Sequence, residues 1–302
     1  MKNPLVSVIM PVYNGEFFIG IAIESILNQS FTNFEFLIIN DGSTDNSLSI
    51  INSFQDDRII VINQSNKGLA ASLNVGISKS IGKYIARMDA DDISAPDRFK
   101  IQVDFFENNH SISVLSGAVN YIDANGKMLG RSFPITCSYL VKKGLTHLGG
   151  VVNHPAVMMR KKDLDNVGKY SEIINKRYED YHLWMQFLKK GYKINNTSKI
   201  LLSYRLLDTS ITSQYQLTPE AFKLLKRVIA EDNIKADTID QINQYYIEQK
   251  YENNESPRSL HYKNLQNIVH LKTKFINENW TASIISIINN IYLSIKLLLV
   301  KD

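Results

Sequence analysis

The stretch YIARMDADDISAPDRF, residues 84–99, places three carboxylates, Asp89, Asp91 and Asp92, directly behind an apolar run that reads as a buried strand. Toward the N-terminus, three more segments share that character: VSVIMPVY (6–13), FEFLIIN (34–40) and RIIVIN (58–63), all rich in Val, Ile and aromatics. FFIGIAIESILNQ, TDNSLSIINSFQ and KGLAASLNVGISKS lie between them with helical length and periodicity. This alternation predicts an α/β fold, a parallel sheet covered by helices on both faces. Ligands of such sheets bind outside the carboxyl ends of the strands. The residues to read are therefore Tyr13-Asn14-Gly15, Asp41-Gly42-Ser43, Gln64 to Gly68, and the Asp89 group.

Downstream the pattern changes. ISVLSGAVNYID followed by ANGKML predicts a strand, an Asn-Gly turn and a second strand. HPAVMMRK (154–161) reads as a further strand, and RYEDYHLWMQFLKKGYKI as a helix burying Leu183, Trp184, Phe187 and Leu188 on one face. ILLSYRLL (200–207) reads as the last strand. The expected organisation is one α/β domain over 1–212 and a mainly helical, charge-rich region over 213–302. Its end, NWTASIISIINNIYLSIKLLLVKD, is amphipathic and too interrupted for a clean transmembrane span. Two readings stay open for residues 280–300: packing against the protein, or lying flat in a membrane interface.

Composition narrows the class without choosing the activity. The chain has 302 residues, 44% hydrophobic and 21% charged, with a formal net charge of +4 spread along its length. That mild, dispersed excess does not imply nucleic acid. The single cysteine, Cys137, has no partner for a disulfide and suits a reducing cytoplasm. MKNPLVSVIMPVYNG lacks the features of a signal peptide, so the protein is expected to stay inside the cell. There is no G-x-x-x-x-G-K-[ST] loop and no G-x-G-x-x-G after the first strand, which argues against P-loop NTPases and dinucleotide-dependent dehydrogenases.

Asp89 and Asp91 are two apart where a strand gives way to a loop. Like charges that close disfavour each other's ionisation unless a cation compensates them. Mg²⁺ or Mn²⁺ accepts carboxylate oxygens and completes its shell with substrate phosphates. The competing structural reading has Asp91 or Asp92 capping the next element while Arg87 or Arg98 neutralises the rest. DGSTDNS has a similar ambiguity, since Ser43, Thr44 or Asp45 are also normal helix N-caps.

Six segments, VSVIMPVYN, LIINDGSTDNS, NKGLAASLNVGI, YIARMDADDISAPDRF, HPAVMMRK and YEDYHLWMQF, occur in the order and spacing of a known family. The chain resembles the family 2 glycosyltransferases, which have the GT-A fold, from about Leu5 to about Ser213. The resemblance implies an inverting enzyme with a UDP-sugar donor and Mn²⁺ or Mg²⁺. By that carry-over Pro11 and Tyr13 would flank the base, Asp41 would hydrogen-bond the uracil, and Lys67 would lie near the nucleotide. Asp89 would contact the ribose or sugar side and join the metal site, Asp91 would be the principal metal ligand, and Asp92 would lie near the donor sugar. The acidic pair supplies the catalytic base, assigned to Asp180 with Glu179 in reserve, although acidic residues in a helix's first turn are also stabilised by its dipole.

His154 and Trp184 are expected on the acceptor side, with a core role equally open for Trp184. Arg205, in SYRLLDTSITS, matches a Tyr-Arg that precedes a nucleotide-covering loop, while Leu207 and Asp208 stand where many members carry a histidine. The resemblance further implies transfer of glucose or galactose to a saccharide on undecaprenyl diphosphate, for O-antigen or capsule, at the cytoplasmic face of the inner membrane. A protein or other polysaccharide acceptor is the alternative. Sugar nucleotidyltransferases are disfavoured by VYNGEFF, which lacks a Gly- and basic-rich loop, and a non-catalytic binder by the presence of Asp91 and Glu179-Asp180.

Overall fold

A near-continuous apolar strand is stable only when both its faces are covered; of the first four strands the first, second and fourth meet that condition, and the third, at the sheet edge, is only partly covered. In the computed structural model, which describes residues 3–147, 150–174 and 178–207 with 226, 227 and 229, these are β1 (Val6–Val12), β2 (Phe34–Asp41), β3 (Ile59–Gln64) and β4 (Tyr84–Arg87). They run parallel in the order β3-β2-β1-β4. All four carboxyl ends therefore open on one edge, and the order reverses direction between β1 and β4, where such sheets form a ligand crevice.

The intervening helices, α1 (Ile19–Leu27), α2 (Ser47–Ser53) and α3 (Leu69–Lys79), are shorter than their periodic segments. Period-two alternation along β1 separates two cores. Val6, Val8, Met10 and Val12 pack with α1, α2 and α4 (Arg98–Asn108) on one face. Ile9 points to the other, where α3 meets α5 (Ser138–His147), α6 (Lys161–Val167) and α7 (Glu179–Lys189). SYLVKKGLTH and KKDLDNV, which form α5 and α6, have too few apolar positions to announce themselves as helices.

Beyond β4 the sheet is mixed. β6 (Ile112–Ile122) and β7 (Met128–Arg131) form the expected hairpin, and β9 (Lys193–Arg205) begins seven residues before the apolar segment that signals it. Its polar start, KINNTSK, is held in register by the long parallel partner β6. The two-residue β5 (Ile93–Ser94) pairs antiparallel with β9 at the sheet's end. HPAVMMRK divides into a 3₁₀ turn (His154–Ala156) and a three-residue strand, β8 (Met158–Arg160). β8 lies antiparallel between β4 and β6, joining the halves of the sheet through few backbone pairs.

Two side chains from α4 reinforce that narrow joint. Arg98 Nη2 donates to the carbonyls of Arg87 (2.6 Å) and Val157 (3.2 Å), and Gln102 Nε2 donates to those of Ala156 (2.9 Å) and Leu115 (3.2 Å). Burial pulls the Arg98 guanidinium down to about 9, opposed by the charge of Asp92.

No helix among the described residues is long and apolar enough to cross a membrane. Asp208 and the expectations for 213–302, including the amphipathic 280–300 segment, lie outside the described residues, save that 226, 227 and 229 are helical.

The close approach of α3 to β1 depends on Gly76. A Cβ there would lie 2.5 Å from Ile9 Cγ2 and 3.0 Å from Ile39 Cδ1, both buried. Gly76→Ala is expected to destabilise the fold by about 1–3 kcal/mol through overpacking, read as a lower urea midpoint at unchanged slope; an unchanged midpoint would contradict this packing.

Candidate active site

The strand ends carry loops that are bonded to one another. Asn14 N donates to Ser43 Oγ (3.1 Å), Gly15 N to Ser47 Oγ (2.8 Å) and Glu16 N to Asp45 Oδ2 (3.0 Å). In return Thr44 N donates to Asn14 Oδ1 (2.9 Å) and Asn46 N to Glu16 Oε2 (3.0 Å). Asn14 adopts φ 53°, a left-handed conformation that asparagine tolerates better than most residues. The DGSTDNS side chains thus mainly tie the β2–α2 loop to the β1–α1 loop. The N-cap of α2 is Asn46, without a side-chain cap bond, although Asp45 Oδ1 also accepts from Ser47 N at 3.0 Å.

Asp41 ends β2, almost wholly buried, and its carboxylate organises the next loop. Oδ1 accepts from Gln64 Nε2 (2.7 Å) and Lys67 N (2.9 Å), and Oδ2 accepts from Gly68 N (2.8 Å). A carboxylate has about four lone-pair sites, so one remains for a ligand donor. Gly42, at φ 75°, permits the crossing: a Cβ there would lie 2.7 Å from Asn66 N. Pro11 is partly buried in β1 and Tyr13, 54% exposed, follows it, so the expected base-flanking residues and Asp41 end adjacent strands.

Strand geometry stops at Arg87, and a turn gathers the three carboxylates that follow. One oxygen from each of Asp89, Asp91 and Asp92 falls within a cluster spanning 4.8 Å. Arg87, the last residue of β4 and 4% exposed, grips Asp89 end-on: Nη1 donates to Oδ2 and Nη2 lies against Oδ1, each at 2.6 Å. Burial acts against the Arg87 charge, but Asp89, Tyr170 and Asp92 together hold it more firmly protonated.

Asp92 is 1% exposed; its Oδ1 accepts from Arg205 N (2.8 Å) while its buried Oδ2 has no hydrogen-bond partner. Burial, then the charges of Asp91 and Asp89, push Asp92 well above the usual carboxylate range. Burial and Asp89 likewise push Asp91 up to about 6. The residues fit a divalent cation: a hard-oxygen donor set, electrostatically strained without one, with an orphaned carboxylate oxygen at its base.

Arg205, expected at the nucleotide, is engaged here by the protein itself. Its buried guanidinium donates from Nε to Asp91 O (2.7 Å) and from Nη1 to the carbonyls of Asp123 and Ala124 (both 3.0 Å), with its face 4.4 Å over Phe18. It holds the carboxylate turn in place from behind.

The acidic pair opens α7. Glu179 is buried, its Oε2 has no hydrogen-bond partner, and burial followed by the Asp180 charge raises it to about 7. Asp180 is less enclosed; Oδ1 accepts from Tyr181 N (2.6 Å), and burial shifts its carboxyl upward. Arg87 lowers both, and the Asp89 charge raises Glu179, so the pair lies within electrostatic reach of the carboxylate turn.

His154 is buried, with Nε2 2.8 Å from Tyr170 Oη and its ring edge-on to Trp184 at 5.8 Å. Burial and the Arg87 charge hold it neutral, well below the ordinary histidine range. Trp184 is a core residue at 1% exposure. Tyr170, which burial holds protonated beside Arg87 and the acidic pair, escaped the sequence reading. Its only signal is a tyrosine in a Gly-Lys-Tyr turn between HPAVMMRK and YEDYHLWMQF, part of neither.

Comparison with known proteins accords with this geometry. The profile described as glycosyl transferase family 2 matches residues 7–168. An uncharacterized glycosyltransferase of Methanocaldococcus jannaschii is 37% identical over 211 residues, 68% of this chain and 72% of that protein. The Escherichia coli UDP-Glc:alpha-D-GlcNAc-diphosphoundecaprenol beta-1,3-glucosyltransferase WfgD is 33% identical over 233 residues, 75% of this chain and 85% of that protein. A crystal structure of S. aureus TarS 1-349 in complex with UDP-GlcNAc matches with TM-score 0.60 at 24% identity, over 82% of this chain and 73% of that one, a likeness of fold. Because the profile spans more than half the sequence and the relatives are matched over most of their own length, the chain belongs to glycosyl transferase family 2 and is a glycosyltransferase of the GT-A fold.

Proposed function

We propose that this glycosyltransferase moves a hexose, glucose or galactose, from a UDP-sugar to a saccharide carried on undecaprenyl diphosphate, inverting the anomeric carbon, in the assembly of O-antigen-type surface polysaccharide. The observation that carries the reading is the carboxylate turn at the end of β4, facing the sheet's crevice with Glu179-Asp180 beside it. WfgD, named for a UDP-Glc donor and a GlcNAc-diphosphoundecaprenol acceptor, supports the choice of substrates. The fold neighbour TarS, crystallised with UDP-GlcNAc, supports the nucleotide-sugar donor. An acceptor on a lipid diphosphate sets the working place at the cytoplasmic face of the membrane.

In this reading Tyr13 and Pro11 wall the base, and the remaining lone pair of Asp41 accepts the uracil N–H. Lys67, whose amide is held by Asp41, lies toward the nucleotide. Asp91 is the principal seat of a Mn²⁺ or Mg²⁺ ion, with Asp89 and Asp92 beside it. When bound, such an ion offsets the negative charge that develops on the departing diphosphate. Arg205 keeps the Asp91 turn in register by bonding its carbonyl.

Asp180 takes the proton from the acceptor hydroxyl. That oxygen forms the new bond to the anomeric carbon on the face opposite UDP, as the bond to the diphosphate oxygen breaks. Asp180 Oδ1 is fixed by the Tyr181 amide, which leaves Oδ2 for the acceptor. The charge of Asp180 in turn raises the proton affinity of the more deeply buried Glu179.

Incubation with Mn²⁺, a panel of UDP-sugars and a synthetic lipid-diphosphate-GlcNAc acceptor, followed by mass, is expected to show hexose addition from UDP-glucose or UDP-galactose. Absence of transfer or hydrolysis with every donor would sink the reading. Asp180→Asn is expected to lower kcat by about 10²- to 10⁴-fold, the range of a general base, with Glu179→Gln less affected. The assignment fails if the glutamine variant loses transfer while the asparagine variant, equally folded, keeps it.

Asp91 and Asp92 also predict a pH dependence of stability in metal-free protein. Their folded-state values are raised, so the native state holds protons that the unfolded chain releases above the ordinary value of 3.8. Stability therefore falls as pH rises from that value through about 6, where Asp91 titrates. Melts in EDTA should show Tm decreasing across this window, less steeply in Asp92→Asn, with excess Mn²⁺ restoring the wild-type loss at neutral pH. A Tm rising equally in both proteins would contradict the charge crowding.

A further inference from the structure

The carboxylates of the turn are not equivalent. Both oxygens of Asp89 are engaged by the Arg87 fork, whereas Asp91 forms no ion pair among the described residues and Asp92 presents an unpartnered buried oxygen. The fork is anchored at every level. Arg87 N donates to Val157 O (3.1 Å), its carbonyl accepts from Arg98 Nη2 (2.6 Å), and its side chain is 5% exposed against 27% for Asp89. Withdrawing the guanidinium would leave it buried without a partner, so it does not swing aside to release Asp89.

We infer that Arg87 is a positioning residue that withholds Asp89 from the divalent cation, so that Asp91 and Asp92 supply the protein's ligands and the donor's diphosphate completes the shell. The inference rests on the cation reading proposed above. A cation on Asp89 would sit across one carboxylate from a fixed positive charge, in a place largely shielded from water. The outer lone pairs that the fork leaves on Asp89 suit neutral hydroxyl donors such as a ribose or sugar diol. The arrangement makes cation binding contingent on the donor: alone, the ion meets two carboxylates and a nearby guanidinium; with UDP, it gains two phosphate groups.

Binding of Mn²⁺ to the full chain, followed by the electron paramagnetic resonance signal of free Mn²⁺ with and without UDP, tests this apart from turnover. Asp91→Asn is expected to weaken Mn²⁺ binding at least about tenfold more than Asp89→Asn does, because the first removes a ligand oxygen and the second only a nearby charge. In Arg87→Lys, one Asp89 oxygen is released because an ammonium cannot form the fork. Mn²⁺ alone should then bind about threefold or more tightly, and the gain should vanish in Arg87→Lys combined with Asp89→Asn. Equal losses in Asp89→Asn and Asp91→Asn, or unchanged or weaker binding in folded Arg87→Lys, would overturn the inference while leaving the cation site intact. If Arg87→Lys does not fold, the contrast between the two asparagine variants decides it. No Mn²⁺ binding by wild type with or without UDP would overturn the cation reading and this inference together.

Discussion

The pairing of one buried guanidinium with one carboxylate, in the midst of four more, is the interaction on which the site depends. Arg87 is fixed to Asp89, and its field reaches Asp91, Asp92, Glu179 and Asp180. Like charges gathered in a part-buried cleft raise one another's proton affinity. Arg98 and Arg205 also act on the turn but donate to backbone carbonyls, and the acids stay incompletely neutralised. The residual negative charge attracts a divalent ion and raises the proton affinity of a neighbouring carboxylate; an anionic leaving group is stabilised there only through such an ion. Placing Arg87 in the strand and the acids in the following turn and on α7 keeps the cation fixed while its partners face the crevice.

The loops that follow β1, β2 and β3 are built on another principle. They are tied at short range by backbone amides donated to side chains, carboxylates among them: Asn14, Ser43, Asp45, Glu16 and Asp41 knit three successive strand-end loops. Such a network pre-organises a binding surface, so little ordering entropy is left for the ligand to oppose. Two halves with different physics, one internally bonded and one crowded with unpaired charge, suit a substrate that is an aromatic base at one end and a diphosphate at the other.

Much of this was legible in the residues. Apolar runs of strand length, separated by amphipathic segments, predicted the parallel half of the sheet, because burial of both faces leaves a strong one-dimensional pattern. The carboxylate turn was visible because three aspartates in four residues are hard to accommodate otherwise. Less legible were features made by contacts distant in sequence. Arg87 read as a neutralising alternative to metal binding, when it accompanies the cluster; no pattern announced that the Arg205 guanidinium is engaged by backbone carbonyls. Tyr170 carried no pattern at all, and α5 and α6 depend on tertiary packing against α7 more than on their own periodicity. The polar beginning of β9 is a strand only because β6 runs beside it.

The joint at β8 has a consequence for how the protein can vary. Where a sheet is wide, continuity is carried by many interchangeable backbone pairs, and no one side chain matters to it. Here the catalytic edge is held across a three-residue strand by an arginine and a glutamine one helical turn apart, each touching two different strands or turns. Continuity between the two halves of the sheet is thus written in side-chain identity. Sequence drift elsewhere in α4 can be absorbed by repacking, whereas a change at Arg98 or Gln102 is felt as a mechanical fault between the parallel and the mixed half.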